Sequence, residues 1–174
     1  MIDIQSYIPH RFPFLFVDEI LSLSETEIVA KKTFSLDDDS FYQGHYPSNP
    51  ITPGVIICES VFQTAAVLLS VNNTASKQSI DSNNQNTIQK EKTKQLDNIN
   101  STSENIYTKL VPVLSKIENA RFKSIVRPGE EILISAKIVE QIGKFSILSG
   151  IVKKTDNTVV LRINFTLGYI EQEI

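Results

Sequence analysis

The sequence predicts an α+β protein in which a curved antiparallel β-sheet wraps around one long buried helix. Two observations lead to this prediction. Between Ile51 and Leu69 most residues are apolar and only Glu59 is charged, which is typical of a helix buried on most sides. After Tyr107 the hydrophobic period becomes two, which is typical of half-buried strands. A helix that is apolar nearly all round requires a sheet that curls over it.

The composition fits one soluble domain spanning residues 1–174. Hydrophobic residues make up 41% of the 174 residues and charged residues 21%, which is ordinary for a globular protein. The net charge is −3 and the basic residues are scattered, so we expect no nucleic-acid partner. With one Cys and two His, the chain has no internal disulfide, and we expect neither a metal site nor a cofactor.

The N-terminus does not resemble a secretory signal, because no basic region followed by an apolar core precedes Pro9. The longest apolar run, residues 54–69, is shorter than the roughly 20 residues that span a bilayer. It also contains Glu59 and Gln63. We therefore expect a cytoplasmic protein without a membrane span.

The first third of the chain predicts one strand and one packed segment. Pro9 and Pro13 forbid a helix in residues 8–23, whose aromatic side chains should pack against the core. Residues 27–34 are β-prone and predict a strand. Residues 37–39, three consecutive Asp, predict a turn or a solvated loop, because consecutive carboxylates point in different directions.

The central helix should begin at Thr52 and Pro53, an N-cap residue followed by Pro at the first helical position. It should run to about Val71. Residues 71–106 then differ in composition: eight of these 36 residues are Asn, four are Gln, and none is aromatic or Pro. We interpret them as a flexible, low-complexity insertion, with some possibility of a weak amphipathic helix around residues 89–96.

The last third predicts four successive antiparallel strands. They cover roughly residues 112–126, 131–140, 144–154 and 158–170, and turn sequences such as Arg127-Pro128-Gly129-Glu130 separate them. Together with the early helix, this order predicts a helix followed by a β-meander.

His45 and Glu59 are the candidate chemical groups. His45 lies in a loop rich in Pro and Gly, and Glu59 is the lone carboxylate on the apolar helix. A carboxylate is almost never fully buried unless it is paired or functional, so the two residues are a plausible base and acid. Taken singly, His45 could be a structural loop histidine and Glu59 a carboxylate bonded to the backbone.

Three segments closely resemble the FabZ-type 3-hydroxyacyl-[acyl-carrier-protein] dehydratases. They are residues 9–15 (PHRFPFL), residues 44–63 with their spaced Pro, His, Glu and Gln, and residues 119–129 (NARFKSIVRPG). The resemblance covers about residues 8–71 and 107–171. It implies the hot-dog fold, a long helix wrapped by an antiparallel sheet, which agrees with the prediction above.

The resemblance implies dehydration of a (3R)-3-hydroxyacyl thioester on acyl carrier protein to the trans-2-enoyl thioester, in fatty acid biosynthesis. His45 matches the family's base and Glu59 its acid. The backbone N–H of Gly54, at the helix start, would stabilise charge on the thioester oxygen, and the missing side chain would let the substrate approach. Gln63, one turn after Glu59, would orient its carboxylate.

Other implied features concern specificity and assembly. Tyr46 and Phe62 are expected to line an acyl tunnel or a dimer contact, and Phe62 stands where the family often has a small residue. The resemblance also implies a homodimer or a higher oligomer of dimers, in which His45 meets Glu59 of the partner subunit. His10 and Arg11 could contact substrate, but we favour a role as anchors of the N-terminal segment.

Two alternatives stay open. One is a hot-dog thioesterase or a dehydratase of a specialised acyl pathway. The other is a non-catalytic acyl-binding module, which would not need both His45 and Glu59.

Overall fold

A computed structural model describes residues 2–88 and 108–173. It contains one α-helix, α1, two short 3₁₀ helices and six strands among these residues. The 3₁₀ helices are Ile4–Ser6 and Ser40–Gln43, and the other elements are β1 Glu19–Leu23, β2 Glu27–Thr33, α1 Gly54–Ile88, β3 Thr108–Phe122, β4 Glu131–Ile142, β5 Phe145–Lys154 and β6 Val159–Glu173.

The strands form one antiparallel sheet in the order β1-β2-β4-β5-β6-β3, and α1 packs against five of them, β2 to β6. Residues 60–70 of α1 are all buried. Their side chains meet inward-facing residues such as Ile134, Leu148 and Phe165, which are fully buried. The predicted α+β class, with a sheet wrapped around one buried helix, is therefore confirmed.

The prediction of a simple meander was wrong for its first strand. β3 pairs with β6, while β4 pairs with β2 and β5. After β3 the chain crosses back over the start of α1, where the N–H of Thr52 donates to the carbonyl of Val126 at 2.7 Å. A hydrophobic period of two predicts a strand but not the strand with which it pairs. The sequence pattern therefore could not predict this crossover. The short strand β1 was also not predicted.

The helix boundaries differ from the predicted ones at both ends. The carbonyl of Pro53 accepts from the N–H of Ile57, so the helix begins one residue later than expected. Thr52 does not act as an N-cap, because its hydroxyl is bonded to the Tyr42 hydroxyl at 2.5 Å. At the other end α1 continues to Ile88, because residues 55–88 contain no Pro or Gly that would stop it.

The helix therefore includes the first half of the predicted insertion. Its remainder, residues 89–106, lies outside the described residues, as does the possible helix around 89–96. Within α1, Gly54–Thr74 is long and apolar enough to cross a membrane by length and composition, so the run is longer than we expected. Because 72% of its most apolar window is buried in the fold, it is placed as a core helix.

The N-terminal segment packs on the core, but the prediction for its aromatic side chains holds only for Phe16, since Phe12 and Phe14 are 76% and 51% exposed. Ile8, Phe16 and Val17 are at most 2% exposed. The guanidinium of Arg11 donates to the carbonyls of Gln5, Ile8 and His10 at 2.8–2.9 Å. Arg11 is therefore an anchor of this segment, as the sequence suggested.

We predict that Gly150→Ala destabilises the fold by about 1–3 kcal/mol through overpacking. A methyl group on Gly150 of β5 would lie 2.5 Å from Cγ1 of Val61 on α1 and 3.0 Å from Cγ2 of Ile163. Gly44→Ala is the matched control, because a methyl there meets nothing within 4 Å. Both substitutions reduce the backbone conformational entropy of the unfolded chain by the same amount. The difference between their free energies of unfolding in urea therefore reports the packing effect at Gly150. Equal stabilities of the two variants would contradict close packing at Gly150.

Candidate active site

Glu59 lies on the second turn of α1 with its side chain 22% exposed, and Gln63 holds it in place. The amide nitrogen of Gln63 donates to Oε1 of Glu59 at 3.0 Å and to the carbonyl of Phe14 at 3.1 Å. The amide oxygen of Gln63 accepts from the N–H of Phe16 at 2.8 Å. The contact between Gln63 and Glu59 expected from their spacing is therefore present, and the N-terminal segment fixes it.

His10 also contacts Glu59, which the sequence reasoning missed. Nε2 of His10 lies 3.5 Å from Oε1 of Glu59. We favoured an anchoring role for His10, and this contact joins the N-terminal segment to the helix at the same point where it meets the carboxylate. The sequence feature that could have predicted this contact is the position of His10 in a Pro-rich segment that had to pack near the helix. The sequence could not show which turn of the helix it would meet.

Burial lowers the pKa of His10 below its ordinary value of 6.5, against the opposing attraction of Glu59, and Arg11 lowers it further. The ring is therefore neutral at pH 7. Its Nδ1 atom is buried and has no hydrogen-bond partner among the described residues. A neutral imidazole can donate to a carboxylate or accept from a carboxylic acid, so His10 can accompany Glu59 in either protonation state.

Three of these side chains open on one cavity of about 260 Å³. His10, Glu59 and Gln63 form its polar end. The rest of the lining is apolar and comes from the N-terminal segment, α1, β3 and β6: Pro9, Phe62, Ala66, Val111, Pro112, Val113, Leu114 and Leu167. A carboxylate beside an apolar cavity is suited to a ligand with one polar reacting group and a hydrocarbon tail.

His45 does not line this cavity in the single chain. Its Nδ1 lies 2.9 Å from the carbonyl oxygen of Ile51. Since a carbonyl can only accept, this bond places the proton of the neutral ring on Nδ1 and leaves the Nε2 lone pair free. His45 thus has the tautomer that a base acting through Nε2 needs.

Tyr46 and Gly54 lie near His45 in sequence and also do not line the cavity with Glu59. The Tyr46 ring packs edge-on against His45 with centroids 4.7 Å apart, and its backbone is left-handed with a φ of 56°. A tyrosine rarely adopts this conformation, which marks a constrained loop.

Gly54 accommodates an aromatic ring. A Cβ on Gly54 would lie 2.9 Å from Cε1 of Phe122, so the missing side chain makes room for this ring. The approach of a thioester to Gly54 stays a prediction. The Gly54 N–H lies in the first turn of α1, where amides lack intrahelical acceptors.

Two other chemistries find no support in the site. Burial, with a smaller contribution from Glu59, raises the pKa of the Cys58 thiol to about 11, so the thiol stays protonated and is a poor nucleophile at neutral pH. Within residues 2–88 and 108–173, no three His, Cys, Asp or Glu side chains are grouped to hold a metal ion.

The fold and cavity define a hot-dog protein, and solved structures agree. The dehydratase heterocomplex ApeI:P from Xenorhabdus doucetiae superposes with a TM-score of 0.69 at 15% identity, covering 98% of this chain and 92% of the other. A hypothetical thioesterase with coenzyme A from Streptococcus pneumoniae superposes with a TM-score of 0.56 at 9% identity, covering 90% and 88%. At these identities the likeness shows the fold alone.

Sequence comparison identifies the family. The FabA-like domain model matches residues 8–110. The 3-hydroxyacyl-[acyl-carrier-protein] dehydratase FabZ of Petrotoga mobilis is 34% identical over 149 residues, 86% of this chain and 83% of the relative. The FabZ of Thermotoga neapolitana is 35% identical over 166 residues, 95% and 93% respectively. The chain belongs to the FabA-like family and, within it, to the FabZ dehydratases.

We predict that His10 makes stability depend on pH. Because its folded pKa lies below 6.5, the unfolded chain binds more protons between the lowered value and 6.5. The contribution of His10 to the free energy of unfolding is therefore fully present above pH 6.5. It declines as the pH falls from 6.5 through the lowered pKa of the folded state. His10→Gln cannot titrate. Urea denaturation between about pH 7.5 and pH 5 should show wild type losing stability relative to this variant. A difference that is constant with pH would contradict a buried neutral ring.

Proposed function

We propose that this protein is a hydro-lyase that dehydrates (3R)-3-hydroxyacyl chains carried by acyl carrier protein to trans-2-enoyl chains, in fatty acid biosynthesis. Its FabZ relatives carry the name of that activity and align over most of its length. The structural observation that carries the proposal is the Glu59 carboxylate, held by Gln63 and His10 beside an apolar cavity. This site accepts the reacting carbons at its polar end and the hydrocarbon tail in its apolar part.

His45 is the base in this proposal. Its Nε2 removes the proton from the carbon next to the thioester carbonyl, and the electron pair forms the new double bond as the hydroxyl group leaves the β carbon. The bond from Nδ1 to the Ile51 carbonyl, 2.9 Å long, supports this role. It fixes the ring orientation and also stabilises the imidazolium that forms.

Glu59 is the acid. It gives its proton to the departing hydroxyl group, which leaves as water. The proton that His45 has taken must then return to Glu59 before the next turnover. The Gly54 N–H, in the unpaired first turn of α1, stabilises the negative charge that develops on the thioester oxygen. Gln63 orients the carboxylate through its fixed amide.

We further propose a homodimer built on the outer edge of β3. Among the described residues 2–88 and 108–173, this strand is hydrogen-bonded only to β6, which leaves its other edge open. Four apolar side chains along it, Leu110, Leu114, Ile117 and Phe122, are 37–49% exposed. Pairing with a second copy would cover both the open edge and these side chains.

The dimer would also complete the site. His45 is not among the residues that line the cavity of Glu59 in one chain, so in this proposal His45 of the partner subunit lies beside Glu59. Acyl carrier protein delivers the substrate to this composite site, and we expect both proteins to be cytoplasmic. A thioesterase would instead release a free thiol, which the assay below detects separately.

We predict that His45→Ala and Glu59→Gln each lower dehydration by at least about 10²-fold while the fold remains intact, since both groups act in one elimination. Formation of the enoyl thioester from 3-hydroxyacyl carrier protein is followed by ultraviolet absorbance, and free thiol by a colorimetric reagent. Glu140→Gln, an exposed carboxylate on β4, is the matched control. Near-wild-type turnover by either site variant would refute the assignment, and thiol release without enoyl product would favour a thioesterase.

We predict that mixing the inactive His45→Ala and Glu59→Gln proteins restores part of the activity. In a composite site, one of the two sites of a mixed dimer has both its His and its Glu intact. The mixture is incubated under conditions that allow subunit exchange and then assayed beside each variant alone. A mixture as inactive as its components, although exchange is shown by mass spectrometry of labelled subunits, would place both groups in one chain.

A further inference from the structure

The wall of the cavity next to Glu59 includes one large aromatic side chain. Glu59, Phe62, Gln63 and Ala66 follow each other at helical spacing, so they lie on one face of α1 and all line the same cavity. Glu59 and Gln63 are polar and Ala66 is small. Phe62 is therefore the only large apolar side chain that α1 contributes to the described lining of this cavity.

On this basis, and resting on the proposed dehydratase function, we infer that Phe62 sets the length of the acyl chain that can reach Glu59. The protein then acts on short 3-hydroxyacyl chains in preference to long ones. On the cavity face of α1, Phe62 comes three residues after Glu59 and four residues before the small side chain of Ala66. A short tail ends before the ring, whereas a longer tail must displace it to continue toward Ala66.

The Phe62 ring has little freedom to move aside. The residue is 7% exposed, and its ring centroid lies 4.9 Å from that of Phe165. Phe165 is fully buried, as are Val61 and Ala65 beside Phe62 on the helix. In a close-packed interior a ring cannot turn without displacing its neighbours, so Phe62 is a fixed wall.

On the opposite side of the cavity two lining residues are tightly packed, whereas Leu114 on β3 is 44% exposed. Val111 on β3 and Leu167 on β6 are 6% and 2% exposed, so neither is free to make room for a longer tail. The cavity volume of about 260 Å³ is the volume with the Phe62 ring in its present position. Discrimination in such a pocket is steep, because one additional methylene in an apolar site commonly changes specificity by about 10-fold or more.

The test compares the kcat/KM of the full-length protein for 3-hydroxybutyryl and 3-hydroxydodecanoyl carrier protein. Phe62→Ala removes the aromatic ring from the cavity lining. Phe62→Leu replaces it with a smaller apolar side chain and disturbs the fold less. Leu161→Ala is the matched control. Leu161 is fully buried on β6 but does not line the cavity, so this variant reports the effect of a destabilised core.

Wild type should favour the four-carbon substrate. Phe62→Ala should raise the ratio of twelve-carbon to four-carbon kcat/KM by at least about 10-fold. Phe62→Leu should give an intermediate rise, and Leu161→Ala none. A wild-type preference for the long substrate, or an unchanged ratio in both Phe62 variants, would overturn the inference while leaving the dehydratase function intact. Absence of enoyl product from wild type at both lengths would instead refute the function itself.

Discussion

The hydrogen bonds of one side-chain amide hold the candidate site together. Gln63 is 1% exposed, and its amide joins three parts of the molecule: the N-terminal segment through Phe14 and Phe16, the core helix on which it stands, and the carboxylate of Glu59. A buried amide must satisfy its polar atoms, because an unpaired one costs about 1–3 kcal/mol. The backbone of the N-terminal segment satisfies them, so that segment is positioned by the same group that positions the carboxylate.

This arrangement explains why the aromatic N-terminal segment accompanies the helix. Phe16 is buried in the core, and its backbone N–H is directed at Gln63. His10, from the same segment, reaches Glu59 at the polar end of the cavity. The carboxylate is therefore surrounded by groups from two distant parts of the sequence, which the packing of the aromatic residues brings together. Rigid support of this kind suits the proton transfer proposed for Glu59.

Much of this was accessible from the sequence, for identifiable physical reasons. The apolar helix around Glu59 was evident because burial on all sides leaves almost no charged residues, and the Gln63 contact follows from a spacing of four. The Thr52 cap was mistaken because its hydroxyl had a tertiary partner in Tyr42. The pairing of β3 with β6, the contact of His10 with Glu59 and the ring of Phe122 over Gly54 depend on contacts distant in sequence, which no local pattern records.

The contact between Gly54 and Phe122 would link the proposed dimer to the proposed chemistry. Phe122 is the last residue of β3, the open edge strand, and its ring rests on the first residue of the helix. In the proposed dimer, a partner that pairs with this strand would lie beside that ring and so close to the amide at the helix start. By thermodynamic reciprocity, a substrate that binds at that amide must alter the affinity for the partner by the same factor. Substrate binding and dimer formation would then be thermodynamically coupled, so a change in one would shift the other.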